Sequence, residues 1–162
     1  MYHFPPGTAP TGKIHIGYFC PALKIAQLLA AGCELQCLLA DVHGFLDNLK
    51  APLELVQYRV EYYRFTISAI LESVGVSTEK LRFVLGSSFQ KSPEYIMDVY
   101  KLSSLISEHD ARRAGAEVVK QSDSGPLSGL LYPILQVLDE QYLGVDAEFG
   151  GKILRKICRA LV

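Results

Sequence analysis

Three observations predict an α/β fold with a parallel sheet. Leu35–Ala40, apolar but for Gln36, reads as a short buried strand, and Leu81–Leu85, apolar but for Arg82, as a second short strand. Segments of helical length and period separate them. The resulting order is helix, strand, long helix, strand, helices, strand, which a series of crossover units produces. At 162 residues the chain fits one domain with a substantial core.

Each element carries its own signals. From His15 to Ala31, the residues Ile16, Phe19, Leu23, Ile25 and Leu28 recur near helical spacing, and Gly32 is a stop. Leu35–Ala40 is a strand that ends in Asp41-Val42-His43-Gly44, which reads as a polar loop. Pro52 opens a long helix whose buried face is marked by Val56, Val60, Tyr63, Ile67, Ile70 and Val74, and Gly75 closes it. After the strand Leu81–Leu85, Gly86–Phe89 is expected to be a loop. Ser92-Pro93-Glu94 combines a cap, a proline at the first helical position and an acid in the first turn. Helices are therefore expected over Pro93–Ser107 and Asp110–Lys120. Gln121–Pro126 reads as a loop, Leu127–Leu143 as a helix that Pro133 should kink, and Gly144–Phe149 as a third strand. Ligands of such sheets bind outside the carboxyl ends of the strands. The Gly7–Gly17 segment, Asp41–Gly44 and Gly86–Phe89 are thus expected around one crevice.

Composition narrows the function. A net charge of −1 excludes a global field attracting nucleic acid, so any such contact needs a local basic patch. No apolar run reaches membrane-spanning length. The cysteines Cys20, Cys33, Cys37 and Cys158 lie among apolar residues and read as buried free thiols of a reducing, cytoplasmic compartment. Cys33 and Cys37 are four apart, but nothing nearby completes a zinc quartet, and no metal site is expected.

The stretch Gly7-Thr8-Ala9-Pro10-Thr11-Gly12-Lys13-Ile14-His15-Ile16-Gly17-Tyr18 places small residues, a lysine and a histidine where a helix begins. Unpaired N–H groups and the helix dipole favour an anion there. Taken alone, the stretch also reads as a turn and a capped helix with His15 on the surface. Tyr132, Gln136 and Asp139 are spaced i, i+4 and i+7 and share one helix face, which by itself fits a solvated polar stripe. His43, at the end of a strand, fits a pocket wall or an ordinary loop histidine.

The chain resembles the class I aminoacyl-tRNA synthetases, and among them the tyrosyl-tRNA synthetases of eukaryotic and archaeal type. The resemblance rests on "PTGKIHIG", on Leu38–Asn48, on Gly115–Gln121, and on Leu127–Gly151 with Tyr132-Pro133-x-x-Gln136-x-x-Asp139. The fourth residue of the histidine tetrad is Tyr18, where that class usually has histidine. The tryptophanyl enzymes are the nearest relatives of this pattern, and the Tyr132–Asp139 motif favours tyrosine. The resemblance implies a Rossmann-like, doubly wound parallel sheet with a helical insert over roughly 86–125, in a single nucleotide-binding domain. It implies formation of tyrosyl-adenylate from tyrosine and ATP, with Mg2+ accompanying the ATP and no prosthetic group. Transfer of the tyrosyl group to tRNA(Tyr) follows. His15 and Gly17 are the implied catalytic positions, with Thr11 and Lys13 as further ATP contacts. Tyr132 and Gln136 would hold the α-amino group of tyrosine, Asp139 would accept its phenol hydroxyl, and His43 would line the pocket. A homodimer is implied through the insert, and no membrane is involved.

The resemblance stops at both ends. Pro5 stands where the family has a tyrosine, and Leu154 where it has a glutamine. Pro5 and Pro6 argue against a central strand there. The lysine-rich second signature and an anticodon-binding domain are not found in this sequence, so a catalytic-core fragment with impaired activity is expected. A non-catalytic remnant that binds a partner or tRNA is the alternative, and a different nucleotidyl transferase of the same superfold a weaker one. Residues 152–162 carry Lys152, Arg155, Lys156 and Arg159 with no acid; Arg155 and Lys156 match an Arg-Lys pair used near the tRNA acceptor end. Arg112, Arg113 and Lys120 are basic residues that either face RNA or are simply solvated.

Overall fold

A computed structural model describes residues 2–47, 52–115 and 126–148. Four parallel strands form one sheet: β1 (Tyr2–Thr8), β2 (Leu35–Leu39), β3 (Leu81–Leu85) and β4 (Ala147–Glu148), in the order β3-β2-β1-β4. The chain starts at the centre, winds out to β3 and returns to β4 on the other side of β1. The direction of winding therefore reverses beside β1, the place where open α/β sheets bind ligands.

β1 overturns the expectation drawn from its prolines. Tyr2, His3 and Phe4 pair with Leu35, Gln36 and Cys37, and Tyr2 and His3 also pair with Ala147 and Glu148. The register then breaks, and pairing with β2 resumes at Thr8↔Leu39. Pro5 and Pro6 fall in the break, where no donor is required, so a central strand accommodates them.

Helices cover the sheet. After a 3-10 turn (Ile16–Tyr18), α1 (Phe19–Ala30) leads to β2, and α2 (Asp41–Leu46) and α3 (Leu53–Ser73) lead to β3. Among the described residues four more helices follow: α4 (Ser87–Gln90), α5 (Pro93–Leu105), α6 (Glu108–Gly115) and α7 (Ser128–Leu143). Gly32 and Gly75 end α1 and α3 at φ +87° and +73°, conformations that other residues rarely adopt. Ser92 caps α5 by accepting the Tyr95 N–H, with Pro93 at the first helical position. α7 runs through Pro133 without interruption. Two expected loops are helical instead: Asp41–Gly44 lies in α2, and Ser87 starts α4.

Alternate residues of β2 divide the core. Leu35 and Cys37 pack with Ala22, Ile25, Ala26 and Leu29 of α1 and with Ile67 and Leu71 of α3. Leu39 joins Val56, Val60 and Tyr63 of α3. A separate cluster of Tyr95, Val99, Ile134 and Leu135 joins α5 to α7, with Val42 and Leu46 of α2 against it. Of the large residues whose spacing marked this helix, Ile25 is buried and Leu28 packs against the core, but the others do not face inward. Small Ala22 and Ala26 go inward, while Ile16, Phe19 and Leu23 are exposed. In α3, Leu71 replaces Val74 as the last buried position. The expected burial of thiols is corrected as well: Cys37 is buried, Cys33 half-buried and Cys20 exposed, and all three are free. Burial pushes the Cys37 thiol up to about 12, so it stays protonated and behaves as a small apolar residue. Among the described residues, no helix is long and apolar enough to cross a membrane.

Candidate functional site

The carboxyl ends of β1, β2 and β3 converge. The loop after β1 carries Thr11, Lys13, His15 and Gly17. β2 runs into Asp41 and His43, and β3 into Gly86 and Gln90. Asp41 Oδ1 accepts the Ser87 N–H at 2.8 Å, which starts α4. Gly86 N–H donates to the Leu39 carbonyl at 3.0 Å. A Cβ on Gly44 would lie 3.1 Å from Cδ of the buried Pro10, so the β1 loop rests directly on the backbone of α2.

His15 closes back onto its own helix. Its Nδ1 accepts the Gly17 N–H at 3.1 Å and caps the 3-10 turn. Accepting at Nδ1 leaves the neutral ring's proton on Nε2, a donor on an exposed side chain. Gly17 is required for this: a Cβ there would lie 2.8 Å from His15 Cε1 and 3.0 Å from Nδ1. The Gly17 amide is thus already engaged, and the imidazole carries a donor outward. Lys13 is exposed and borders a groove with Tyr58, Arg59 and Tyr62 of α3.

The second group centres on Asp139, which is 3% exposed. Gln90 Nε2 donates to its Oδ1 and Oδ2 at 2.8 and 2.9 Å. The Tyr95 hydroxyl lies 2.7 Å from Oδ1 and 3.0 Å from the Leu135 carbonyl. His43 Nδ1 is 3.6 Å from Oδ2, and the His43 ring meets the Tyr132 ring edge to face at 4.6 Å. Tyr132, Gln136 and Asp139 are all buried, so the α7 face is no solvated stripe.

Burial sets the charges. It raises Asp139 to about 7, against the opposing pull of the Tyr95 and Gln90 hydrogen bonds. Burial lowers His43 to about 4, so the imidazole is neutral at neutral pH and its approach to Asp139 is no ion pair. Oε1 of Gln90 and Oε1 of Gln136 are buried without a hydrogen-bond partner, and the His43 ring nitrogens make no well-formed hydrogen bond, only a longer backbone contact at Tyr132. Each such atom costs roughly 1–3 kcal/mol. Such groups on His43, Gln90 and Gln136 suit a site that completes its bonding with a polar ligand rather than a core made only for packing. An apolar cavity of about 420 Å³ shares Gln90 and Tyr95 with this cluster, but Tyr132, Gln136, Asp139 and His43 do not line it.

The structure therefore brings Tyr132, Gln136, Asp139 and His43 together and keeps Thr11, Lys13, His15 and Gly17 on one adjoining loop. Sequence reasoning missed Gln90 and Tyr95, which hold the carboxylate, and Tyr63 and Arg59, which hold the loop; only the fold brings any of them into contact. Arg112 and Arg113 pair with Glu108 and Asp110 of their own helix, at 2.8 and 3.2 Å, and behave as a solvated face. Lys120, Arg155 and Lys156, with the whole 152–162 segment, lie outside the described residues.

The sequence profile of the tRNA synthetases of class I (W and Y) matches residues 4–152. The cytoplasmic tyrosine–tRNA ligases of Saccharomyces cerevisiae and Danio rerio are each 60% identical to this chain over 151 residues. That match takes in 93% of the chain but 38% and 28% of those proteins, so the chain spans about a third of their length. The solved tyrosyl-tRNA synthetase of Archaeoglobus fulgidus in complex with L-tyrosine aligns with a TM-score of 0.81 at 33% identity, covering 99% of this chain and 47% of that one. The tryptophanyl-tRNA synthetase of Giardia lamblia aligns at TM-score 0.66 and 16% identity, which is a likeness of fold.

Proposed function

The chain belongs to the class I tryptophanyl and tyrosyl tRNA synthetase family, and on that premise we propose that it binds tyrosine and ATP, joins them as tyrosyl-adenylate and passes the tyrosyl group to tRNA(Tyr). The single observation that carries tyrosine is the Asp139 carboxylate. Buried and held by Gln90, it already accepts a phenol hydroxyl, that of Tyr95, at 2.7 Å. A carboxylate has about four acceptor positions, which leaves room for a second phenol. Phenylalanine would leave that position unpaired. Gln136 and Tyr132, one and two turns earlier on α7, would receive the α-amino group, Gln136 through its unpartnered Oε1. His43 closes the pocket beside Tyr132.

In the reaction the tyrosine carboxylate attacks the α-phosphate and pyrophosphate leaves, so no protein nucleophile is needed. The protein's task is alignment and stabilisation of phosphate charge. His15 would donate Nε2–H to a phosphate oxygen, with Thr11 and Lys13 as further donors. Gly17, whose missing side chain makes room for the His15 ring, would serve by setting the position of that donor. Mg2+ would arrive with ATP and offset the charge of its phosphates.

The same reading places the active protein in the cytoplasm, as its relatives are named, and in a homodimer joined through the helices of 86–125. Arg155 and Lys156 would meet the tRNA acceptor end. Tyrosine-dependent ATP–pyrophosphate exchange tests the activity. Isothermal titration should show tyrosine binding and no comparable phenylalanine binding, with discrimination lost in Asp139→Ala. Tyrosine binding without exchange would favour a non-catalytic remnant. Equal binding of both amino acids by parent and variant would remove the pocket assignment.

A further inference from the structure

We propose that Tyr63 is a positioning residue for the nucleotide-binding loop, acting through the Gly12 carbonyl and coupled by its hydroxyl to Tyr18 of the histidine tetrad. The inference rests on the nucleotide site proposed above. Tyr63 lies in the middle of α3 and is 1% exposed, yet its hydroxyl is not spent inside the core. It donates to the Gly12 carbonyl at 3.0 Å and accepts from the Tyr18 hydroxyl at 3.3 Å. One turn earlier, Arg59 Nη1 donates to the Thr11 carbonyl at 3.0 Å and lies 3.5 Å from that of Pro10. Positions i and i+4 face the same way, so one side of α3 grips consecutive carbonyls of the loop.

The consequence follows from peptide geometry. In a trans peptide the C=O and N–H point in opposite directions. Fixing the Thr11 and Gly12 carbonyls towards α3 turns the N–H groups of Gly12 and Lys13 away from it. A run of amides aimed to one side is an anion-binding concavity. Gly12 has no side chain, and a Cβ there would meet nothing within 4 Å, so its conformation depends on such outside ties. The same network reaches His15. The Tyr18 ring stands edge to face on both His15 and Tyr63, at 5.2 and 5.8 Å. The loop amides and the imidazole, the two groups aimed at phosphate, are thus indexed to one buried hydroxyl.

The test uses this chain with Tyr63→Phe, Tyr18→Phe and the double variant. Affinities for a non-hydrolysable ATP analogue with Mg2+ and for tyrosine are measured by isothermal titration, and melting temperatures alongside. Tyr63→Phe is expected to weaken the nucleotide ~5–10-fold, the effect of about one lost hydrogen bond, with tyrosine affinity unchanged. Tyr18→Phe should weaken it ~2–3-fold, and the double variant should match Tyr63→Phe alone, since Tyr18 acts through Tyr63. Nucleotide affinity within twofold of the parent, or equal loss for nucleotide and tyrosine, overturns the assignment. If Tyr63→Phe unfolds, Tyr18→Phe decides by the same criterion at a half-buried hydroxyl. A parent that binds no nucleotide overturns the site reading and this inference together, whereas a parent that binds it with unaltered variants overturns only the latter.

Discussion

Replacing Asp139 by asparagine should change how stability depends on pH, in a direction fixed by burial. In the folded protein the carboxyl titrates at about 7, against 3.8 for the ordinary group. The folded state therefore holds a proton that the unfolded chain has released, and stability falls as pH rises between those values. Two-state titration with these values gives a loss of roughly 2–3 kcal/mol between pH 5 and pH 8, at 1.36 kcal/mol per pKa unit. His43 works the other way. Its folded value of about 4 lies below the ordinary 6.5, so its contribution rises with pH over that window. Up to about pH 6.5 the two offset each other in the parent, which then loses stability through pH 7. Asp139→Asn removes the acid and leaves His43 alone. The variant's stability should rise with pH to about 6.5 and then level. Asparagine keeps an acceptor for the Tyr95 hydroxyl, and Gln90 can turn its unpartnered Oε1 to the new amide. Urea unfolding of both proteins from pH 5 to 8 measures the difference. Parallel profiles would show that burial does not raise Asp139 and would refute the reasoning.

Gly17→Ala should push the His15 ring off its cap, because the new Cβ would lie 2.8 Å from Cε1. Nucleotide affinity should drop several-fold by titration, with stability changed by under about 1 kcal/mol because the cap is exposed. Tyr95→Phe removes a hydrogen bond that lowers the Asp139 pKa, so the pH dependence of tyrosine binding should move upward when affinities are measured from pH 6 to 9. Ser92→Ala removes the cap on α5 and should cost about 1 kcal/mol in urea unfolding, without altering tyrosine affinity.

What the sequence discloses and what it hides divide along contact distance. β3 and the Ser92 cap were legible because their causes are local: a mostly apolar run interrupted by Arg82, and a serine followed by proline and an acid. α2 was not, because Asp41, His43 and Gly44 carry the composition of a loop. The helix forms where Asp41 receives the Ser87 amide and where Gly44, lacking a side chain, admits Pro10. Both partners are remote in sequence. The apolar period of α1 found Ile25, which is buried, and Leu28, which packs on the core, but it also took in Ile16, Phe19 and Leu23, which are exposed, and passed over Ala22 and Ala26, which pack with Leu35 and Cys37. The Tyr132, Gln136 and Asp139 face was visible from spacing, yet spacing alone gives a solvated stripe as readily as a pocket. Burial decides between them, and it depends on Gln90 and Tyr95, 49 and 44 residues away from Asp139. The same logic applies to Tyr63. Period identified it as a core residue, which it is, but only the meeting of α3 with the β1 loop gives its hydroxyl a carbonyl to hold. A local pattern can place a side chain on a face; it cannot say whether the polar atom at its tip is spent on packing or on the site.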